Sequence, residues 1–317
     1  MVAGELSFRD GGASDLETTF ALSVQAMHDT ATRQGIFPPG QTPTDAAIRA
    51  DWVRHRPFLE HIAAQPDGRY VIAEGADGPV GYARVVRYTG MEELTELMVM
   101  PEYQQRGIGR RLLELAWPSS PTPTLGRVVV AAGAASDLSL YLAFGVMPVA
   151  GHWHLRQRTE AYLERRAQET ESTDPAVHLL KPDRAVREWL RLEPPVLGHE
   201  RTALHEFFSR DRNCLAALDP QSGDATALCW VSGDGVIGPA VAAEPGGLAP
   251  VMVAALDRVA KVQEPSHLSV FATTLSWLLM RRLRTLGFSV YWPSWIMCSV
   301  PLPGLDRYAP TRPPHLL

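Results

Sequence analysis

The chain has 317 residues, enough for two domains that each bury a core. Its 45% hydrophobic content is that of an ordinary globular protein, and its net charge of −5, divided as −3 over residues 1–168 and −2 over the rest, leaves no basic half for a nucleic-acid partner. Cys214, Cys229 and Cys298 give neither a disulfide framework nor a metal spacing, no apolar run is long enough to span a membrane, and the N-terminus shows no basic-then-apolar leader, so the reading is a cytoplasmic protein without metal or membrane association. Only Lys181 and Lys261 among the 30 basic residues are lysine, a bias that points to a GC-rich bacterial genome.

In chain order, apolar runs and turn residues predict strands at Leu6–Arg9, Tyr70–Glu74, Val80–Tyr88, Leu94–Met100, Arg127–Ala132 and His152–Gln157. Helical periodicity predicts helices at Asp15–Gln34, Thr44–Ala64, Gln105–Trp117 and Asp137–Phe144. Gly75-Ala76-Asp77-Gly78 joins two alternating strands as a hairpin. The loop Gly35–Gly40, which contains Phe37, is apolar and turn-rich; it either covers a ligand or simply connects two helices.

The segment Val99 to Glu114 carries the clearest chemistry. Leu97, Met98, Val99 and Met100 end an apolar strand at Pro101. A turn follows, Gln104-Gln105-Arg106-Gly107-Ile108-Gly109, and then a helix with Arg110, Arg111, Leu112 and Leu113. Strand, glycine-bearing turn and helix bring backbone N–H groups and a helix N-terminus to an anion, and the arginines add positive charge. The spacing is neither G-x-x-x-x-G-K-[ST] nor G-x-G-x-x-G. Downstream, Ser136 to Val149 reads SDLSLYLAFGVMPV: Ser136 or Asp137 can cap a helix, Leu138, Leu140, Tyr141 and Phe144 make its apolar face, and Gly145 ends it.

The Q-x-x-G-x-G turn after V-x-P-E-Y, together with the Leu140-Tyr141 to Pro148-Val149 segment, resembles the acyl-CoA loop and the late helix of the GNAT superfamily of N-acetyltransferases. The resemblance implies an α/β (α+β) fold, a twisted, mostly antiparallel sheet flanked by helices, with a splay between strands four and five that holds the pantetheine arm. It implies acetyl-CoA as cosubstrate, contacted by Leu97, Met98, Val99, Gln104, Gln105, Arg106, Gly107, Ile108, Gly109, Arg110 and Ser136. It places the general acid at Tyr141, while Val146 replaces the family's usual phenylalanine. Backbone N–H groups near Met98 to Met100 are candidates for the oxyanion.

The second half repeats the plan. Gln168 to Pro175 has no apolar residue apart from its proline and reads as a linker, which sets domains at 1–168 and 176–317 with 169–175 between them. A hairpin, Ala225–Val231 and Val236–Ala242, precedes a helix at Leu248–Val262, a strand at Leu268–Ala272, a helix at Ser276–Leu286 and a strand at Val290–Ser299. Where the phosphate turn should fall the chain reads AAEPGGLAP, and Leu283 takes the place of Tyr141. The plan is therefore two tandem GNAT-like domains, of which the second is degenerate, shapes the acceptor pocket or dimer, and carries Trp230, Trp277, Trp292 and Trp295 as core or interface.

An acceptor amine is protonated at neutral pH and needs a base before it attacks a thioester. Glu93 and Glu96 on the strand into Val99 are the candidates. Phe37, His152 and His154 are candidates for the acceptor pocket, the two histidines sharing one face of a late strand. His55 and His61 do not share a helical face, which argues against a metal pair. The partner is a small-molecule or peptide amine, and the chain is a monomer or homodimer. Three readings stay open: an N-acyltransferase, a non-catalytic acyl-CoA-binding or regulatory protein, and altered acyl-CoA chemistry such as O-acyl transfer or decarboxylation.

Overall fold

Alternating strands joined by two-residue glycine turns build the start of the chain as an antiparallel ladder. The computed structural model describes residues 6–132, 134–169 and 176–311, and contacts divide the chain into two units at Val128/Val129. The first unit contains β1 (Ser7–Asp10), α1 (Leu16–Arg33), α2 (Asp45–Ala63), β2 (Arg69–Gly75), β3 (Gly78–Tyr88), β4 (Met91–Val99) and α3 (Ile108–Ala116), and ends inside β5 (Gly126–Ala131). β1, β2, β3 and β4 pair antiparallel in that order. Gly78 at φ 120° and Gly90 at φ 80° close the β2–β3 and β3–β4 turns, conformations open to glycine at no steric cost.

The two faces of this ladder are covered differently. Leu22 and Ala26 of α1 pack with Ile72, Tyr82 and Met98, and Leu16, Phe20, Ile48 and Trp52 pack with Val86, so α1 and α2 cover the Tyr82 face. A Cβ on Gly81 would lie 3.4 Å from Leu112, which puts α3 on the opposite face. The register slips between Arg84 and Val85, where Thr95 is the extra residue in β4. Regular alternation would send Glu93 and Glu96 to opposite faces. The bulge instead sets Glu93 opposite Val86 and Glu96 opposite Arg84, so both carboxylates lie on the α1/α2 face.

The second unit takes the rest of β5, then α4 (Ala135–Leu142), β6 (Met147–Arg158), α5 (Thr159–Ala167), β7 (Val177–Leu180), α6 (Pro182–Leu192), α7 (Pro194–Leu197), α8 (Thr202–Phe208), β8 (Arg212–Leu218), β9 (Ala225–Ser232), β10 (Ile237–Ala242), α9 (Leu248–Val262), β11 (His267–Thr273), α10 (Trp277–Thr285), β12 (Ser289–Cys298) and β13 (Tyr308–Ala309). One antiparallel set runs β12-β6-β11 and another runs β13-β10-β9-β8-β7. α9 is apolar on nearly all sides, and it packs with Leu155, Val270, Cys229 and Ala240 from both sets in one core. Under α6 and α8, Glu193 accepts from Arg201 and from His205 at 2.8 Å, and the Trp230 indole donates to the other nitrogen of His205 at 3.2 Å, so this buried charge is fully paired. Burial alone would raise the Glu193 carboxyl pKa, but Arg201 and then His205 override it and hold the group far below the usual carboxylate range.

The unit boundary differs from the 169–175 linker read from sequence, six residues of which, 170–175, lie outside the described residues. The reason is β6. Leu155 stands opposite Val270 on one side and Val290 on the other, so the strand is bonded along both edges to β11 and β12. α3 starts three residues later than expected, because Gln105 at φ 61° and Gly107 at φ 81° are left-handed and cannot continue a right-handed helix. The tryptophans are not all core: Trp230 is buried, Trp292 is half-buried, and Trp277 and Trp295 are exposed.

Severing the chain within 169–175 therefore strips β6 of both neighbours and leaves two open edges. Residues 1–168 expressed alone are expected to aggregate in a sedimentation or light-scattering measurement. A soluble, fully active fragment would contradict this.

Candidate active site

The turn between β4 and α3 is fixed at both ends. The Gln104 side-chain amide donates to the Val99 carbonyl at 3.0 Å, and its oxygen accepts from Arg33 at 3.1 Å, so Gln104 ties the turn to the strand end. Gly107 is left-handed, and nothing lies within 4 Å of where its Cβ would stand. α3 opens with Gly107 as its N-cap without a side-chain cap. The first intrahelical bond runs from Arg111 N–H to the Gly107 carbonyl at 3.0 Å, so the N–H groups of Ile108, Gly109 and Arg110 have no helical acceptor. No acidic residue stands in the first turn, and Arg106 and Arg110 are exposed beside it, Arg106 lying over Tyr103 at 5.2 Å. Donors, dipole and charge together make an anion cradle. Leu97 and Val99 lie on the α3 face opposite Ala83 and Gly81, and Met98 lies on the other face opposite Tyr82.

The two candidate bases differ in surroundings. Both are buried, with Glu93 3% and Glu96 2% exposed. Glu96 Oε2 lies 2.6 Å from Arg84 Nη1, and Glu96 Oε1 accepts from the Tyr82 hydroxyl at 2.7 Å. Arg84 also lies 4.5 Å over the Tyr70 ring, and the Tyr70 hydroxyl is 2.6 Å from Thr19. Burial, and then the Glu96 charge, push the Tyr82 phenol well above its ordinary range. Arg84, Tyr82 and Tyr70 were not singled out from sequence. Only the bulge at Thr95 brings them to Glu96, and nothing in the residue pattern marks it.

Tyr141 lies on α4, 7% exposed, and its hydroxyl has no hydrogen-bond partner among the described residues. Burial first, and then Asp137, raise its pKa, so the phenol keeps its proton through neutral pH. α4 closes on Gly145 at φ 81°, where the Val146 N–H reaches back to the Tyr141 carbonyl at 3.3 Å. The sequence expectation that Ser136 or Asp137 caps this helix is corrected: the N-cap is Ala134, and both residues sit in the first turn, with Ser136 donating to Asp137 at 3.3 Å.

His152 and His154 share a face of β6, as expected, and sandwich the Phe271 ring at centroid distances of 5.2 and 4.5 Å. The Ser294 hydroxyl donates to the His152 carbonyl at 2.6 Å, so it accepts from His152 Nδ1 at 3.0 Å. Burial pushes the His152 pKa down to about 4. Phe37 is half-buried in the first unit, its ring 5.4 Å from His28. His55 is bound to the Asp51 carbonyl at 2.8 Å and stacked on Phe20, and among the described residues no cluster suited to a metal is present.

Residues 66–145 match the Acetyltransferase (GNAT) domain. No curated protein matches the sequence at a significant level. In fold the chain is similar to a putative acetyltransferase from Pyrococcus horikoshii, at 17% identity over 96% of this chain and 92% of that one with a TM-score of 0.68. It is also similar to a tandem GNAT protein from the clavulanic acid biosynthesis pathway, at 17% identity over 94% and 99% with a TM-score of 0.60. A GCN5-related N-acetyltransferase from Sphaerobacter thermophilus aligns at 16% identity over 95% and 97% with a TM-score of 0.55. Residues 66–145 thus match a GNAT acetyltransferase domain model, and the chain shares the fold of a tandem GNAT protein. No described helix is long and apolar enough to cross a membrane.

His152 and His199 are both buried and both pushed down to about 4. The unfolded chain binds these protons near the ordinary histidine value and the folded chain only near 4, so stability is full above that ordinary value and falls as pH drops between the two. Urea midpoints are expected to decline as pH is lowered from neutral towards 5, and less steeply in the His152→Gln variant. A midpoint independent of pH over that interval would contradict the burial argument.

Proposed function

We propose that the chain is an N-acyltransferase that carries the acetyl group of acetyl-CoA to a primary amine of a small molecule or of a peptide N-terminus. The observation that carries this reading is the turn from Gln104 to Gly109. The space at Gly107, the free N–H groups of Ile108, Gly109 and Arg110, and the absence of acid in the first turn suit a pyrophosphate. The pantetheine arm then runs along the Leu97–Val99 end of β4, and Ser136 is a further candidate for contact with acetyl-CoA.

The base is Glu93 or Glu96, both buried on the α1/α2 face, Glu96 with its oxygens engaged by Arg84 and Tyr82. The carboxylate takes the ammonium proton directly or through water. The amine then attacks the thioester carbonyl, backbone N–H groups near Met98 to Met100 stabilise the oxyanion, and Tyr141 protonates the thiolate as the C–S bond breaks. Phe37 in the first unit and His152 and His154 in the second are the candidates for contact with the acceptor.

The halves 1–168 and 176–317 are read as one competent copy and one that has lost its acyl-CoA site. β10 leads through Pro245–Gly247 into α9 as β4 leads through Pro101–Tyr103 towards α3, but Gly247 has φ −76° and the segment carries neither glutamine nor arginine. β13 also pairs with β10, Ala240 opposite Ala309 and Val241 opposite Tyr308. That is the position along β10 that an extended pantetheine would need.

Two variants separate binding from chemistry. Gly107→Val fills the anion's place, and calorimetry is expected to show no acetyl-CoA binding against one site per chain for the wild type. Tyr141→Phe removes a donor used in the transition state, so kcat is expected to fall by about 10²–10⁴-fold with acetyl-CoA affinity nearly unchanged. Two equivalent sites per chain, or an unchanged kcat, would overturn these assignments; binding without turnover on any amine would favour a non-catalytic acyl-CoA-binding protein.

A further inference from the structure

One face of the β12-β6-β11 set carries an arginine whose charge the protein does not answer. Arg156 follows His152 and His154 at alternate positions of β6, so the three share a face. Its guanidinium lies over the Tyr291 ring at 5.0 Å, and among the described residues it has neither a carboxylate partner nor a hydrogen-bond acceptor. Its neighbour Arg158, by contrast, is matched by Glu160 at 2.7 Å. A guanidinium lying on a ring still has its N–H donors at its edge, in the plane that a carboxylate meets with two parallel bonds.

The surroundings are arranged about that edge. Ser269 stands directly opposite Arg156 on β11, which puts a hydroxyl on the same face at a Cβ separation of roughly 5 Å. The register of β12 shifts between Val290 and Trp292, and Tyr291 is the extra residue of that bulge, swung to lie edge-on to His154 at 5.1 Å as well as beneath Arg156. His154 stacks on Phe271, and Trp292 stands opposite His154. Arg156, His154, Ser269, Tyr291 and Trp292 are each partly exposed, so this shelf is open to a ligand.

We propose that this shelf binds a small molecule that joins a carboxylate to a planar apolar body, the carboxylate on Arg156 and Ser269 and the apolar part along His154, Tyr291 and Trp292. One guanidinium beside one hydroxyl matches a singly charged, planar anion. A phosphate dianion would call for further cations. Only in naming that ligand as the amine acceptor, an aromatic amino acid or amino-substituted aromatic acid, does the inference rest on the acyl-transfer reading; the subsite stands without it.

The test titrates the full chain with phenylacetate, which has no amine to acylate, and follows tryptophan fluorescence. Saturable quenching is expected in the wild type, ~10-fold or more weaker binding in Arg156→Gln with its thermal melt unchanged, and partial recovery in Arg156→Lys. Phenethylamine, which lacks the carboxylate, is expected to give no saturable response. No saturable response to phenylacetate, equal binding by Arg156→Gln, or displacement of phenylacetate by equimolar inorganic phosphate would overturn the proposal. CoA release from acetyl-CoA with L-phenylalanine is measured separately: its absence counts against the acyl-transfer reading while phenylacetate binding stands or falls alone.

Discussion

The pairing of β6 on both edges is the constraint that organises the second unit. A strand that begins at Met147 is bonded to β11 and β12, which begin at His267 and Ser289. Each of these pairings closes a long loop of chain, so the ladder forms only after distant segments meet. Once formed, it fixes two faces. Leu155, with Leu268 and Val270, turns into the core around α9, while His152, His154 and Arg156 turn the other way. The polar face of this ladder is therefore a by-product of how the apolar face is buried.

The two copies show which parts of the plan physics keeps and which function keeps. Both late helices end on a left-handed glycine, Gly145 and Gly287, and in both the next N–H reaches back to the same helical position, Val146 to Tyr141 at 3.3 Å and Phe288 to Leu283 at 3.0 Å. That exit is a packing device and survives in both. The side chain at the equivalent position does not: Tyr141 is a phenol whose hydroxyl has no hydrogen-bond partner among the described residues, and Leu283 is core. Likewise Gly107 keeps a left-handed turn with nothing within 4 Å of where a Cβ would stand, whereas Gly247 is right-handed, a Cβ built on it would lie 3.3 Å from Ala242, and a buried Leu248 follows. In the second copy this turn is closed by apolar contact.

Where local chemistry decides structure, the residues were readable. Asp77-Gly78 and Asp234-Gly235 marked hairpins because their turns need left-handed glycines, and Leu248–Val262 was legible because its apolar residues recur all round a helix. The turn before α3 was legible because glycine spacing and strand-to-helix context constrain it jointly. Less was readable where pairing partners lie far apart. The two-residue β13 and the short helices α6, α7 and α8 offer little periodicity, and the unit boundary depends on β6 finding β11 and β12. The bulge at Thr95 reverses the alternation that sequence reasoning assumes, so the contrast between Glu93 and Glu96 emerges only with Arg84 and Tyr82 in place.

A single acyl-CoA site, on the β4–α3 turn and absent from the β10–α9 turn, is the centre of this account. Backbone amide hydrogen exchange with and without acetyl-CoA addresses it directly, because it reads both turns in one experiment. The account predicts slowed exchange for the amides from Gln105 to Arg110 and at the end of β4, with the amides from Ala243 to Leu248 unchanged. Slowed exchange at both turns, or at the second alone, would contradict it.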